Sequence, residues 1–310
     1  MGFKLSPRLF VLLFLATVIL VLLSAYVGFR LDVGSRTIDA LKRYQIEKFE
    51  VAKDKVETII VGDSSAGNAI DARFFTELSG QYTLNLALLG SFASGSSFNL
   101  IRYFKTQAPH LKNVIVIYSL GIWRQPPSKE GYFETLRYVG FPQQSSPVLP
   151  SRVEYLEYVT GLRRVGQIFR KVFLRKKPRR EVDPVNDFVL QRGERFSNGL
   201  MDIRPHERLS EDMDERKKTM FSVLDDLCLR ESLNCIYMHG PIHTALVQDS
   251  PGAVERINSF IKSSKKIISV TKVFRYGDWQ MGDSANHVDP SAKKDVTKEY
   301  HETIKGYLKK

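Results

Sequence analysis

The apolar residues of this chain fall into three regimes. Leu9 to Phe29 is an unbroken run of 21 residues without a charge, and about 20 apolar residues are what a helix needs to cross roughly 30 Å of hydrocarbon. Residues 30–55 mix apolar and charged positions at helix-permissive spacing, which predicts a stem with no chemistry of its own. From residue 56 onward, short β-branched runs alternate with stretches of helical spacing. VETIIVG (56–62) reads as strand, DSSAGNAIDARFFTEL as helix, YTLNLAL as strand, LGSFASGS as loop, SFNLIRYFKTQ as helix and NVIVIYSL as strand. After an interruption, LSEDMDERKKTMFSVLDDLCL, AVERINSFIKSS and PSAKKDVTKEYHETIKGYL read as helices, with NCIYMHG and KIISV as strands between them. Such alternation predicts an α/β fold in three layers, a parallel sheet flanked by helices, with sites gathered at the carboxyl edge of the strands.

The interruption, from about residue 121 to 206, is proline-rich and poor in strand pattern, and reads as an insertion or lid within a domain covering 56–310. It also changes the meaning of the charge. The chain carries a net +12, which by itself suggests nucleic acid, but nine basic residues and no acid lie between Tyr158 and Arg180. Without that stretch the protein is close to neutral. Leu162, Val165, Phe169 and Val172 recur there at helical spacing, leaving the arginines opposite. Arg163 to Arg180 therefore suits either an anionic polymer or lipid contact, or a merely solvated basic face, and no nucleic-acid recognition motif is present.

The apolar run is a spanning helix or a signal peptide. A cleaved signal has a shorter core and a small-x-small site, whereas Leu23-Ser24-Ala25 puts Leu at the −3 position, which favours an uncleaved signal-anchor. Lys4 and Arg8 precede the run with no acid, and Arg30, Arg36, Asp32 and Asp39 follow it. The positive-inside rule then predicts a single-pass inner (plasma) membrane protein, its residues 1–29 forming a cytoplasmic tip and anchor and its body periplasmic or otherwise extracytoplasmic. In that compartment Cys228 and Cys235, at a helix-to-strand corner, are close enough in sequence for a disulfide, though the spacing leaves free thiols open too. Two cysteines without C-x-x-C spacing give a metal site no support.

Candidate chemistry sits where the strands end: Gly62-Asp63-Ser64-Ser65, then Asn85 and Gly90, and near the C-terminus Asp283 and His287. A serine hydrolase needs a hydroxyl beside an imidazole, a carboxylate to fix the imidazole tautomer, and oxyanion donors. The serine context is not the G-x-S-x-G elbow. Strand IIVG followed by DSS resembles the first block of the SGNH (GDSL-type) hydrolase family, LNLALLGSFASG its second, and GDSANHVDPSAKKDV its last. The resemblance spans about 56–120 and 207–310 and is nearest to membrane-anchored SGNH-like proteins of envelope polysaccharide loci. It implies Ser64 as nucleophile, His287 as general base, Asp283 as its orienter, and the amides of Ser64 and Gly90 as oxyanion hole, with no cofactor.

Two departures from that pattern stand out. The third-block Asn has no counterpart in Tyr118-Ser119-Leu120-Gly121-Ile122-Trp123, and Asp283 lies four rather than three residues before His287, leaving Asp289 or Asp278 as substitutes. Asp63, Asn85, His243 and Trp123 are candidate substrate contacts; His239, beside His243 in MHGPIH, faces the same edge. The residues alone equally allow Ser64 and Ser65 as helix caps, Gly90 as a turn glycine and His287 as a loop histidine. The resemblance implies an esterase or acyltransferase acting on O-acyl, above all O-acetyl, groups of a cell-surface glycan. The alternatives are a non-catalytic glycan-binding or assembly protein and a membrane-tethered lipid-ester hydrolase.

Overall fold

A computed structural model of the chain describes residues 6–30, 37–142, 149–160, 208–282 and 284–310. The basic stretch 163–180 and Asp283 lie outside the described residues, so the expectations placed on them have no structural counterpart here. Two compact units are present, Met1–Ala40 with Pro150–Glu181, and Leu41–Leu149 with Val182–Lys310. The first contains helix α1 (Pro7–Arg30), 24 residues long, which at 1.5 Å per residue spans about 36 Å. It is long and apolar enough to cross a membrane. Its side chains from Leu9 to Leu20 are exposed, as those of a lipid-facing helix are.

The second unit is the α/β body. Helix α2 (Thr37–Ala52) enters it at Leu41 and differs from the expected stem. Phe49 and Lys42 are fully buried, Gln45 Nε2 donates to Ala87 O at 2.7 Å and Lys48 Nζ donates to Asn85 O. Lys42 also pairs with the buried Glu134 at 3.0 Å. A charged, amphipathic pattern reads as a solvated stem, but here the lysine stems pack while their ammonium groups meet carbonyls and a carboxylate.

Strands β1 (Thr58–Gly62), β2 (Thr83–Asn85), β3 (Asn113–Tyr118), β4 (Asn234–His239) and β6 (Ile268–Val270) form one parallel sheet in the order β2-β1-β3-β4-β6. A second small sheet pairs β5 (Ile242–His243) with β7 (Arg275–Tyr276). Both faces of the main sheet are covered, so its strands carry apolar side chains in both directions. Ile60, Ile115, Ile117, Ile236 and Met238 point to one face, against α3 (Ser64–Ala69), α4 (Ala72–Ser79) and the C-terminal helix Lys293–Ile304. On the other face lie Val61, Val116 and Tyr237, beside α5 (Gly90–Gln107) and helix Glu215–Arg230. The strand order reverses between β1 and β3, and the crevice at that switch point is where doubly wound sheets place ligands.

Two elements differ from the sequence reading. The single helix expected after β1 breaks at Ile70 and Asp71: Asp71 caps α4 by accepting from Phe74 N at 2.8 Å, and Asn85 captures the carbonyls that end α3. The expected loop 89–96 is instead the first part of α5. Its serines return their hydroxyls to the helix, Ser94 to Ser91 O and Ser97 to Ala93 O, while Gly95 and Gly131 let α5 and α6 (Lys129–Val139) touch backbone to backbone. A Cβ on Gly95 would lie 2.1 Å from Ser128 O. Within the expected lid, α6 is therefore part of the body, and α7 (Arg152–Thr160) follows it. The remaining helices are α8 (Glu215–Arg230), α9 (Thr244–Gln248), α10 (Pro251–Lys262) and α11 (Lys293–Ile304). Cys228 and Cys235 form a disulfide joining α8 to β4.

Candidate active site

Ser64 is the first residue after the turn that closes β1. The turn is possible because Gly62 presses against β3: a Cβ there would stand 1.8 Å from Ile117 O. Asp63 then caps α3, one carboxylate oxygen accepting from Ser65 N at 3.0 Å and from Ser65 Oγ. Its other oxygen accepts from Ser119 N at 3.0 Å and Ser119 Oγ at 2.7 Å, so one carboxylate ties the ends of β1 and β3 together. Asn85 Nδ2 donates to Ala66 O at 3.0 Å and Ile70 O at 2.9 Å, and its Oδ1 accepts from Ala87 N at 3.2 Å. Gly240, after β4, closes the far side; a Cβ there would meet Ser65 Oγ at 2.2 Å. Every neighbour of Ser64 is thus committed to the scaffold, while Ser64 itself stays half-buried.

His287 arrives from the other end of the chain on a hairpin. Met281 bridges Val288, Gly282 N donates to His287 O at 2.7 Å, and Asp289 N donates to Gln280 O at 2.9 Å. Met281 and Val288 anchor the hairpin in the core, and Ala285 O accepts from His243 N at 2.8 Å. This scaffold brings His287 Nε2 to 2.8 Å from Ser64 Oγ, within the hydrogen-bond reach required of a nucleophile and its base. Of the substitute carboxylates, Asp289 accepts from Ser291 N at 2.9 Å and Asp278 pairs with His243.

The amides of Ser64 and Gly90 begin α3 and α5, where helix geometry leaves N–H groups without intrahelical acceptors, and neither donates to another described residue. Leu88 N donates to Gly62 O at 2.9 Å, so both amides lie two residues beyond a directly bonded pair. Gly90 has φ +44, and beyond its chain neighbours and its own helix backbone no atom of the described residues lies within 4 Å of where its Cβ would stand. Ser119 turns both its amide and its hydroxyl to Asp63.

The candidate substrate contacts divide. Asp63 and Asn85 are 1% and 0% exposed and brace the turn, and Trp123 is buried among Phe221, Tyr237 and Phe260 with its indole N–H on Tyr237 Oη at 3.0 Å. Residue type announces a polar or aromatic group but not the direction it faces. His239 is likewise internal, its Nε2 2.6 Å from Asn258 Oδ1, and burial pushes its pKa down to about 4. His243 is different. Its Nδ1 accepts from Ala245 N at 3.2 Å, so its Nε2–H donates to Asp278 Oδ1 at 2.6 Å, and Asp278 is exposed.

Sequence reasoning missed Lys217. It is buried, its ammonium has no hydrogen-bond partner among the described residues and sits 4.4 Å over the Tyr118 ring. Burial pushes its pKa down to about 7 against the opposing pull of Asp63 and Asp214. The signal was available: Lys217, Met220, Phe221 and Leu224 share one helical stripe. No family model and no curated protein matches the chain.

Proposed function

We propose that this protein is a membrane-anchored serine esterase or acyltransferase of the SGNH hydrolase kind, acting on O-acyl groups of a surface glycan. The observation that carries this reading is the 2.8 Å contact between Ser64 Oγ and His287 Nε2, made by two residues 223 positions apart at a topological switch point. Ser64 Oγ attacks the ester carbonyl as its proton passes to His287 Nε2. The amides of Ser64 and Gly90 receive the oxyanion. Collapse breaks the bond to the leaving oxygen, which takes the proton back from His287 and departs as an alcohol, leaving an acyl-serine. Water, or a sugar hydroxyl, then gives its proton to His287 and attacks the acyl carbon, releasing an acid or a new ester with Ser64 restored. Asp283, by the family resemblance, orients the imidazole.

The glycan and the envelope setting rest on that resemblance. The cytoplasmic N-terminus rests on Lys4 and Arg8, and the Cys228–Cys235 disulfide supports a body in an oxidising compartment. Hydrolysis of p-nitrophenyl acetate by the full chain, compared with Ser64→Ala and His287→Ala, tests the chemistry. Turnover lost in both variants is the expected result; equal rates in all three proteins would reject it. One observation favours the rival, non-catalytic glycan-binding reading: the strand end Tyr118–Arg124 holds no Asn to serve as the third oxyanion donor that the family resemblance implies, and such a donor is worth about 3 kcal/mol of transition-state stabilisation.

A further inference from the structure

Trp279 is 71% exposed, makes no ring contact with any described residue, and stands on the same hairpin as His287. Its short turn, Asp278–Gln280, is closed on itself: Gln280 N donates to Gly277 O at 3.0 Å and Gly277 N donates to the Gln280 side chain. The cross-strand pairs Gln280 with Asp289, Met281 with Val288 and Gly282 with His287 put Trp279 one residue beyond the end of the ladder that carries His287. An indole this open, on a turn whose backbone is closed, is not filling the core. Next to it, Asp278 is also exposed, with a side-chain exposure of 75%. One of its oxygens is fixed by His243 Nε2, while the other accepts nothing from the described residues.

From this geometry we infer that Trp279 and Asp278 form a subsite for a neutral sugar ring of the ester-bearing glycan, an inference that rests on the acyl-transfer reading of Ser64. The aliphatic C–H face of a pyranose stacks on an indole, and its equatorial hydroxyls donate to a carboxylate held at the edge of that platform. His243 is then a positioning residue: its Nε2–H, enforced by the Ala245 amide on Nδ1, orients Asp278. An anionic headgroup fits poorly because the fixed carboxylate repels it, and an acyl chain fits poorly because it would desolvate that carboxylate without pairing it. A protein contact would bury the indole against a complementary hydrophobic pocket, whereas the Trp279–Asp278 pairing offers half of its recognition to hydroxyl donors.

The test uses the two tryptophans as internal reference and reporter. Trp123 is 1% exposed and Trp279 is in solvent, so red-edge emission reports Trp279. Full-length Ser64→Ala in a polyoxyethylene detergent is titrated with cellohexaose and with O-acetylated glucomannan. The expected result is saturable quenching by at least one of them in the parent; read by isothermal titration calorimetry, which needs no Trp279 reporter, the same glycan binds roughly tenfold more weakly to Trp279→Ala, more weakly to Asp278→Asn and with affinity largely restored in Trp279→Tyr. The inference is overturned if neither glycan changes the emission, if Trp279→Ala binds as tightly as its parent, or if phosphatidylglycerol vesicles alone give the signal. Because Ser64→Ala performs no acyl chemistry, binding without p-nitrophenyl acetate turnover in the parent would sink the enzyme reading and leave the subsite standing, and the converse would do the opposite.

Discussion

The two halves of the proposed Ser64–His287 pair are held by different means. Ser64 sits on a turn pressed between three strand ends, with Gly62, Asp63, Asn85, Ser119 and Gly240 all spent on fixing it. His287 sits on a hairpin held by a few backbone hydrogen bonds and two core residues, Met281 and Val288. On the proposed acyl-transfer reading, a nucleophile fixed in the sheet and a base on a separately anchored hairpin would divide the work: the sheet sets where attack occurs, and the hairpin sets whether the hydroxyl is activated. Changes on the Ser64 side should therefore damage folding and activity together, and changes on the His287 side activity far more than folding.

The sharpest contrast is between two glycines. Gly62→Ala drives a methyl into Ile117 O and is expected to destabilise the body by about 4 kcal/mol or more, read as loss of a cooperative thermal transition. Removing the Asn85 side chain leaves two carbonyls and the Ala87 amide without their partner. Asn85→Ala is expected to cost about 2–4 kcal/mol and to lower kcat as α3 loosens, measured by denaturant unfolding alongside turnover. Cys228→Ser with Cys235→Ser opens a short loop at the opposite end of β4 from the site. It should cost about 2–3 kcal/mol with kcat unchanged, and an equal loss of kcat would show that the sheet does not insulate the site.

Lys217 inverts the sign. Its folded pKa of about 7 lies below the unfolded value near 10.4, so between those pH values the unfolded chain binds a proton the folded chain has shed. Stability is expected to rise with pH across that window and, below it, to carry the full cost of a buried charge. Lys217→Met should stabilise the fold by about 1–2 kcal/mol at pH 6 and flatten the rise. At the small end stands Gly282→Ala, on the base side, where a Cβ would meet nothing closer than Val288 O at 3.5 Å. A change within about 1 kcal/mol is expected; a loss as large as that of Gly62→Ala would erase the distinction between the halves.

The layered α/β architecture was legible because both periods were clean, and Ser64 and His287 because each follows a readable strand or precedes a readable helix. What the pattern hid was direction. Asn85 and Trp123 look like surface chemistry and are internal struts; Lys42 and Lys48 look like a solvated stem, yet Lys42 pairs with Glu134 and Lys48 braces the loop that leads to Gly90. The start of α5 was masked by its serines and glycines, which read as loop until their hydroxyls are seen to bond within the helix. Trp279 carried no sequence signal, since an isolated tryptophan between polar residues is usually a buried anchor, and only its exposure makes it a candidate for binding.

The central claim is that His287 activates Ser64, and it can be tested without knowing the acyl donor or acceptor. A fluorophosphonate probe reacts with the full-length protein in detergent, and mass spectrometry locates the adduct. The account predicts modification of Ser64 alone, slowed by about a thousandfold or more in His287→Ala. Absence of an adduct, an adduct elsewhere, or labelling of Ser64 indifferent to His287→Ala would contradict it.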